Sequence, residues 1–244
     1  TVACIDDETY YLFGSSVAQN MHLRWFEKHL EGVDDVIYKN MTDDFHGIAI
    51  SGPNSRELLS RLTREDVSSD AFKFRDIRDT FIGGVPALCV RLSFTGELGY
   101  EIYVAPQYQL KLFEEIEEAG KDLDVKWFGG RALMSMRLEK SWGAWTMDFR
   151  PDFTLMESGL DFFVNWNKDF IGKDAALEEK KNGPSKHLSV IEIETETDVS
   201  GDEAVMHNGK CISYITSGGY GHSVEKSLAM TYLPVELIKE SAEF

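Results

Sequence analysis

The sequence predicts an α+β fold built on antiparallel sheets. Short runs of period-two alternation and short runs of helical periodicity succeed one another along the chain, and the regular crossovers of a doubly wound sheet are missing. Only one glycine cluster occurs, "TSGGYGHS" near the C-terminus, and no GxGxxG opens a helix as a dinucleotide site requires.

The elements follow in order. "TVACIDDETYYLFG" alternates from its first residue and reads as a strand pair. Ser16 with Gln19 resembles a capping box ahead of Ala18, Met21, Trp25, Phe26 and Leu30 at helical spacing. "VIYKN" and "FHGIAISG" read as strands, and Asn54 with Glu57 opens a helix carrying Leu58, Leu59 and Leu62. A hairpin is expected about Gly83 and Gly84, then strand, turn and strand in "LSFTGELGYEIYV", then a helix from about Pro106 with Phe113 and Ile116 on one face. "GGRALMSMRLEKSWGAW" reads as a helix whose nearly continuous apolar residues predict extensive burial. An irregular segment and a short charged helix lead to "NGPS", the best linker candidate. Beyond it, "HLSVIEIET", "EAVMHNGKCISYITSGGYG" and "LAMTYLPVEL" read as strands, with "HNGK" a hairpin turn. The expected domains are therefore residues 1–185 and a small β domain over 186–244.

Composition excludes several functions. The 244 residues are 43% hydrophobic, enough for a packed core, and 42 acidic against 25 basic side chains give a formal charge of −17 that repels nucleic acid and anionic membranes. Cys4, Cys89 and Cys211 lie far apart without CxxC pairing, so the expectation is three reduced, mostly buried thiols and no zinc site. No apolar run of about 18 residues and no cleavable leader is visible, which points to an intracellular protein. The histidines are scattered, no GxSxG occurs, and "TSGGYGHS" lacks the Lys-Ser or Lys-Thr of a phosphate loop, so it reads as turn chemistry. Adjacent acids such as Asp6 and Asp7 read as solvated turns.

Glu101 stands out. Extended geometry puts it on one strand face with Tyr103, while Tyr100 and Ile102 take the other. An ionised carboxylate accepts two parallel hydrogen bonds, so it complements a flat ligand offering adjacent N–H groups, as guanine and pterin rings do. Arg137 would serve equally as a structural partner. Trp142, Trp145, Phe162, Phe163 and Trp166 offer ring surface, for a planar ligand or for a core.

"SFTGELGYEIYV", "MRLEKSWGAW", "ESGLDFFV", "DFIGKDAALEEK" and "TSGGYGHSVEKSLAMTYLP", in this order, resemble the glycine-cleavage T-protein superfamily, and above all the folate-binding C-terminal halves of dimethylglycine and sarcosine dehydrogenases. The resemblance runs from end to end. It implies a T-protein-like α+β part with an incomplete N-terminal portion, a small C-terminal β-barrel, and tetrahydrofolate-dependent one-carbon transfer. It assigns Glu101 to the pterin edge, aligns Phe94 with a family aromatic that is usually tyrosine, and places Tyr103, Trp142 and Phe162 at or near folate contacts. No metal is implied. An aspartate that family members carry just before the strand beginning "TVACI" is absent, which leaves the catalytic group unassigned and suggests a fragment. FAD enters only through an oxidase domain or subunit upstream, and the implied setting is cytoplasmic, or the mitochondrial matrix in a eukaryote. A folate-dependent demethylase and a regulatory subunit that kept the fold are the alternatives.

Overall fold

The computed structural model describes residues 1–240, so the last four residues of the expected β domain lie outside the described residues. The chain forms two compact units, the first spanning Thr1–Phe128 and the second beginning at Gly129.

In the first unit, β1 (Val2–Cys4) and β2 (Tyr10–Leu12) form an antiparallel pair, followed by α1 (Gln19–Leu30). Next come β3 (His46–Ser51), α2 (Ser55–Leu62), β4 (Ile77–Ile82), β5 (Val85–Val90), β6 (Gly99–Val104) and α3 (Gln109–Gly120). The four longer strands make one antiparallel sheet in the order β3-β6-β5-β4. Leu58, Leu59 and Leu62 of α2 and Leu112 and Ile116 of α3 cover one face, packing on Ile50, Ile82, Tyr100, Ile102 and Val104. That face is the core. Its neighbours along each strand point the opposite way, as a pleat requires, and on β3 and β6 they are only partly covered. Gly83 and Gly84 both take positive φ, 60° and 77°, between β4 and β5, the conformation a two-residue hairpin turn demands.

Three local expectations fail here. "VIYKN" forms no strand, and Ile37 is 97% exposed, because an apolar run without a ladder neighbour has nothing to pair with. Ser16 makes no capping bond, since a 3₁₀ turn over Ser16–Ala18 precedes α1 and starts the α-helix only at Gln19. The strand expected through Phe94 stops at Val90, and Phe94 sits in the turn that follows.

The second unit contains α4 (Gly130–Glu139), a long irregular stretch, α5 (Lys173–Asn182), β7 (Lys186–Ile193), β8 (Ala204–His207), β9 (Lys210–Gly221), β10 (Lys226–Pro234) and α6 (Val235–Lys239). Its sheet runs β7-β10-β9-β8, all antiparallel. Asn208 and Gly209, with φ of 51° and 75°, turn the β8–β9 hairpin. Among the described residues β7 and β8 remain edges, so the sheet is not a closed barrel. Burial in α4 is confined to Arg137 and Leu138 at its end, so the continuous apolar run overstated it. "TSGGYG" is not a turn but part of β9. A Cβ on Gly218 would stand 2.6 Å from the Val199 carbonyl oxygen, so glycine is needed there for close approach of a neighbouring segment.

Of the three thiols only Cys89 is buried; Cys4 ends the three-residue β1, and Cys211 lies at the start of β9, where β8 pairs with it and β10 does not reach, so both are exposed. No helix among the described residues is long and apolar enough to cross a membrane.

Candidate functional site

Residue pairing across the first sheet defines the surroundings of Glu101. On β6 it lies opposite Ala49 of β3 and Val90 of β5, and Tyr103 lies opposite Gly47 and Leu88. Opposed residues share a face, so the carboxylate rises from a floor of small or apolar side chains on the side away from the core. Tyr100 and Ile102 are fully buried on the other side, as alternation requires. The Glu101 Oε2 accepts a hydrogen bond of 2.7 Å from the Tyr103 hydroxyl. Burial first, then the negative charge of Glu101 and the bond to it, push the Tyr103 phenol far above its ordinary value of 10.0.

Arg137 does not serve Glu101. Its guanidinium is fully buried in the second unit and donates to Asp148 Oδ2 at 2.6 Å and to the Trp142 carbonyl at 3.0 Å. Burial draws it below the ordinary arginine value and Asp148 opposes the shift. Asp148, also fully buried, accepts in addition from the Ala144 N–H at 2.7 Å, Thr216 Oγ1 at 2.5 Å and Ser217 Oγ at 2.6 Å. The segment carrying Trp142 is thus clamped to the end of α4 and to β9. Sequence reading missed Asp148; its position between Met147 and Phe149, in a stretch rich in rings, is the trace it left.

Phe94 is half-buried in its turn, and the residues beside it are anchored. Ser93 and Thr95 hydroxyls lie 2.8 Å apart, and Ser51 at the end of β3 joins Thr95 at 2.6 Å. Gly99 permits this approach, for a Cβ there would meet Ser93 Cβ at 2.8 Å. Trp142 is 38% exposed and meets Phe149 and Phe163 edge-on at 6.1 and 6.4 Å. Phe162, on a 3₁₀ turn, is 68% exposed with its ring 4.0 Å from that of Phe163. The structure therefore joins Glu101 to Tyr103 in the first unit, and places Trp142 and Phe162 around Phe163 in the second. A polar recess of about 350 Å³ in the second unit, lined by Thr146, Arg150, Ser200, Asp202, Tyr214 and Thr216 among others, includes none of these candidates.

Residues 1–168 match the model of the GCVT N-terminal domain, and residues 186–244 match that of the glycine cleavage T-protein C-terminal barrel domain. The chain belongs to the glycine cleavage T-protein family. This T-protein homologue is 37% identical over 232 residues to human mitochondrial dimethylglycine dehydrogenase, covering 93% of the chain and 27% of that relative. It is 32% identical over 230 residues to an aminomethyltransferase from a Thermoanaerobacter species, covering 93% of the chain and 61% of the relative. The crystal structure of the glycine cleavage system aminomethyltransferase T from Bartonella henselae superposes with a TM-score of 0.76 at 26% identity, over 90% of this chain and 59% of that one. The T-protein region described here thus spans about a quarter of the dehydrogenase relatives and about three fifths of the aminomethyltransferases.

Proposed function

We propose that this chain binds tetrahydrofolate and directs one-carbon transfer, capturing a methylene, iminium or formaldehyde carbon from an oxidised methylated amine of the dimethylglycine or sarcosine type as 5,10-methylenetetrahydrofolate. The observation that carries the reading is Glu101 itself. Its carboxylate stands on the less covered face of the sheet over apolar neighbours, has no lysine or arginine salt bridge among the described residues, and is engaged through one oxygen by a neutral hydroxyl. A carboxylate so placed wants donors, and a pterin edge presents two in parallel.

Bound reduced folate supplies N5 as the nucleophile toward the one-carbon unit. The chain supplies binding and orientation: in the first unit Glu101 fixes the pterin edge and Phe94 and Tyr103 offer ring surface, while Trp142 and Phe162, the other contacts the resemblance implies, belong to the second unit. Holding two reactants in register removes a large part of a bimolecular barrier, about 7 to 11 kcal/mol in ideal cases, so a site rich in contacts and poor in acid–base groups is chemically sufficient. No residue is assigned as the proton carrier. FAD has a place only in an oxidase domain or subunit that makes the electrophile, as the homology to a dehydrogenase suggests. On this reading residues 1–185 form the folate-binding part and 186–244 the small β domain.

Calorimetric titration with tetrahydrofolate tests the assignment. Glu101→Gln replaces one acceptor oxygen by a donor, and the expected loss is roughly 1.5 to 3 kcal/mol, about ten- to hundredfold in Kd. Unaltered affinity in a folded variant removes Glu101 from the site.

A further inference from the structure

The Tyr103 hydroxyl is already engaged. It donates to Glu101 Oε2 across the gap between same-face neighbours of β6, about 7 Å along the strand. The ring that carries it is held from two sides. Phe13, just past β2, packs on it with centroids 4.7 Å apart at 32°, and Phe13 is tied to Thr1 by backbone bonds of 2.8 and 2.9 Å. Gly47 lies opposite on β3, where a Cβ would stand 3.1 Å from Tyr103 Cε1, so the ring packs closely over the glycine and a methyl there would shift it by a few tenths of an ångström. An isolated glycine inside a strand, as in "FHGIAIS", commonly marks such a close approach.

The consequence falls on Glu101. The terminal torsion of a glutamate is broad and roughly two-fold, so a carboxylate over an apolar floor has no preferred plane of its own. We propose that Tyr103 is a positioning residue: its hydroxyl pins Glu101 Oε2 and thereby turns Oε1 and the remaining lone pair of Oε2 toward the ligand's paired N–H groups, while Phe13 and Gly47 hold Tyr103 in place. This rests on the folate reading of Glu101, and it gives the Tyr103 hydroxyl a task beside the folate contact that the resemblance implies for the residue. Burial and the neighbouring negative charge raise the phenol above its ordinary value, so at neutral pH it stays protonated and donates.

A double-mutant cycle on the full chain, read by tetrahydrofolate Kd, decides the matter. With Glu101 intact, Tyr103→Phe keeps the ring and is expected to weaken binding about fivefold, the worth of one ordinary hydrogen bond. In a Glu101→Ala background the same change is expected to shift Kd less than twofold, since nothing is left to position. Gly47→Ala, which displaces the ring without touching the hydroxyl, is expected to show the same dependence on Glu101. In turnover, KM for folate should rise with Kd while kcat holds within about twofold. Equal Tyr103→Phe effects in both backgrounds, or none with Glu101 present, overturn the positioning role and leave the folate reading standing. Glu101→Ala without effect on Kd is a different result and removes the folate reading itself.

Discussion

Asp148 offers the sharpest stability prediction. Asp148→Ala deletes the acceptor of four hydrogen bonds, from Arg137, Ala144, Thr216 and Ser217, in a side chain with no exposed surface. Thr216 still has the Met230 carbonyl to donate to, at 3.1 Å, so it is not orphaned. Arg137 is the expensive survivor: among the described residues its Nε and Nη2 are already buried without an acceptor, and losing Asp148 leaves a buried cation with the Trp142 carbonyl and the Met230 sulfur. Breaking a buried pair from one side costs about 3 to 5 kcal/mol, against a usual total stability of about 5 to 15. Asp148→Asn should be milder, roughly 1.5 to 3 kcal/mol, because an amide oxygen can face Arg137 and Ala144 while the Ser217 and Thr216 hydroxyls reverse to accept. Urea unfolding followed by circular dichroism and tryptophan fluorescence measures both. Replacing the pair together, Arg137→Met with Asp148→Leu, should cost less than Asp148→Ala alone. If Asp148→Ala lowers stability by less than about 1 kcal/mol with an unchanged urea slope, the clamp is not what holds the Trp142 segment.

Other expectations are simpler to check. Burial pushes the Cys89 thiol up to about 12, so a thiol reagent at neutral pH should label Cys4 and Cys211 and reach the third only on unfolding. The sign for stability follows from the same shift: a thiol whose folded pKa exceeds its ordinary 9.0 contributes fully below pH 9, and that contribution is lost as pH rises toward 12. Alkaline titration of urea midpoints should therefore show a decline that Cys89→Ala flattens. Gly218→Ala forces its Cβ against the Val199 carbonyl and should destabilise by about 1 to 3 kcal/mol, seen as a lowered Tm. Gly209→Ala, at φ 75° where space is open, should cost only the left-handed backbone penalty of about 1 to 2 kcal/mol.

Much of the fold was legible in the sequence because period-two and period-3.6 patterns are local. "GYEIYV" put Tyr100 and Ile102 on one strand face and Glu101 with Tyr103 on the other, and Gly83–Gly84 and Asn208–Gly209 announced their hairpins. Local pattern failed where pairing or packing decided the outcome. "VIYKN" had strand residues and no ladder, and "TSGGYG" had turn residues and a crowding neighbour.

By itself the sequence determined the fold class, the family and the strand face on which the acid stands, since these follow from side-chain identity and spacing along one chain. Tertiary structure alone decided partners. It gave Arg137 to Asp148, a fully buried partner eleven residues on, and turned the Tyr103 hydroxyl onto Glu101, its same-face neighbour on β6, with Phe13 packed on the ring. That is why Glu101 was nameable from the sequence, while Phe13 and Gly47, which hold its neighbour in place, were not.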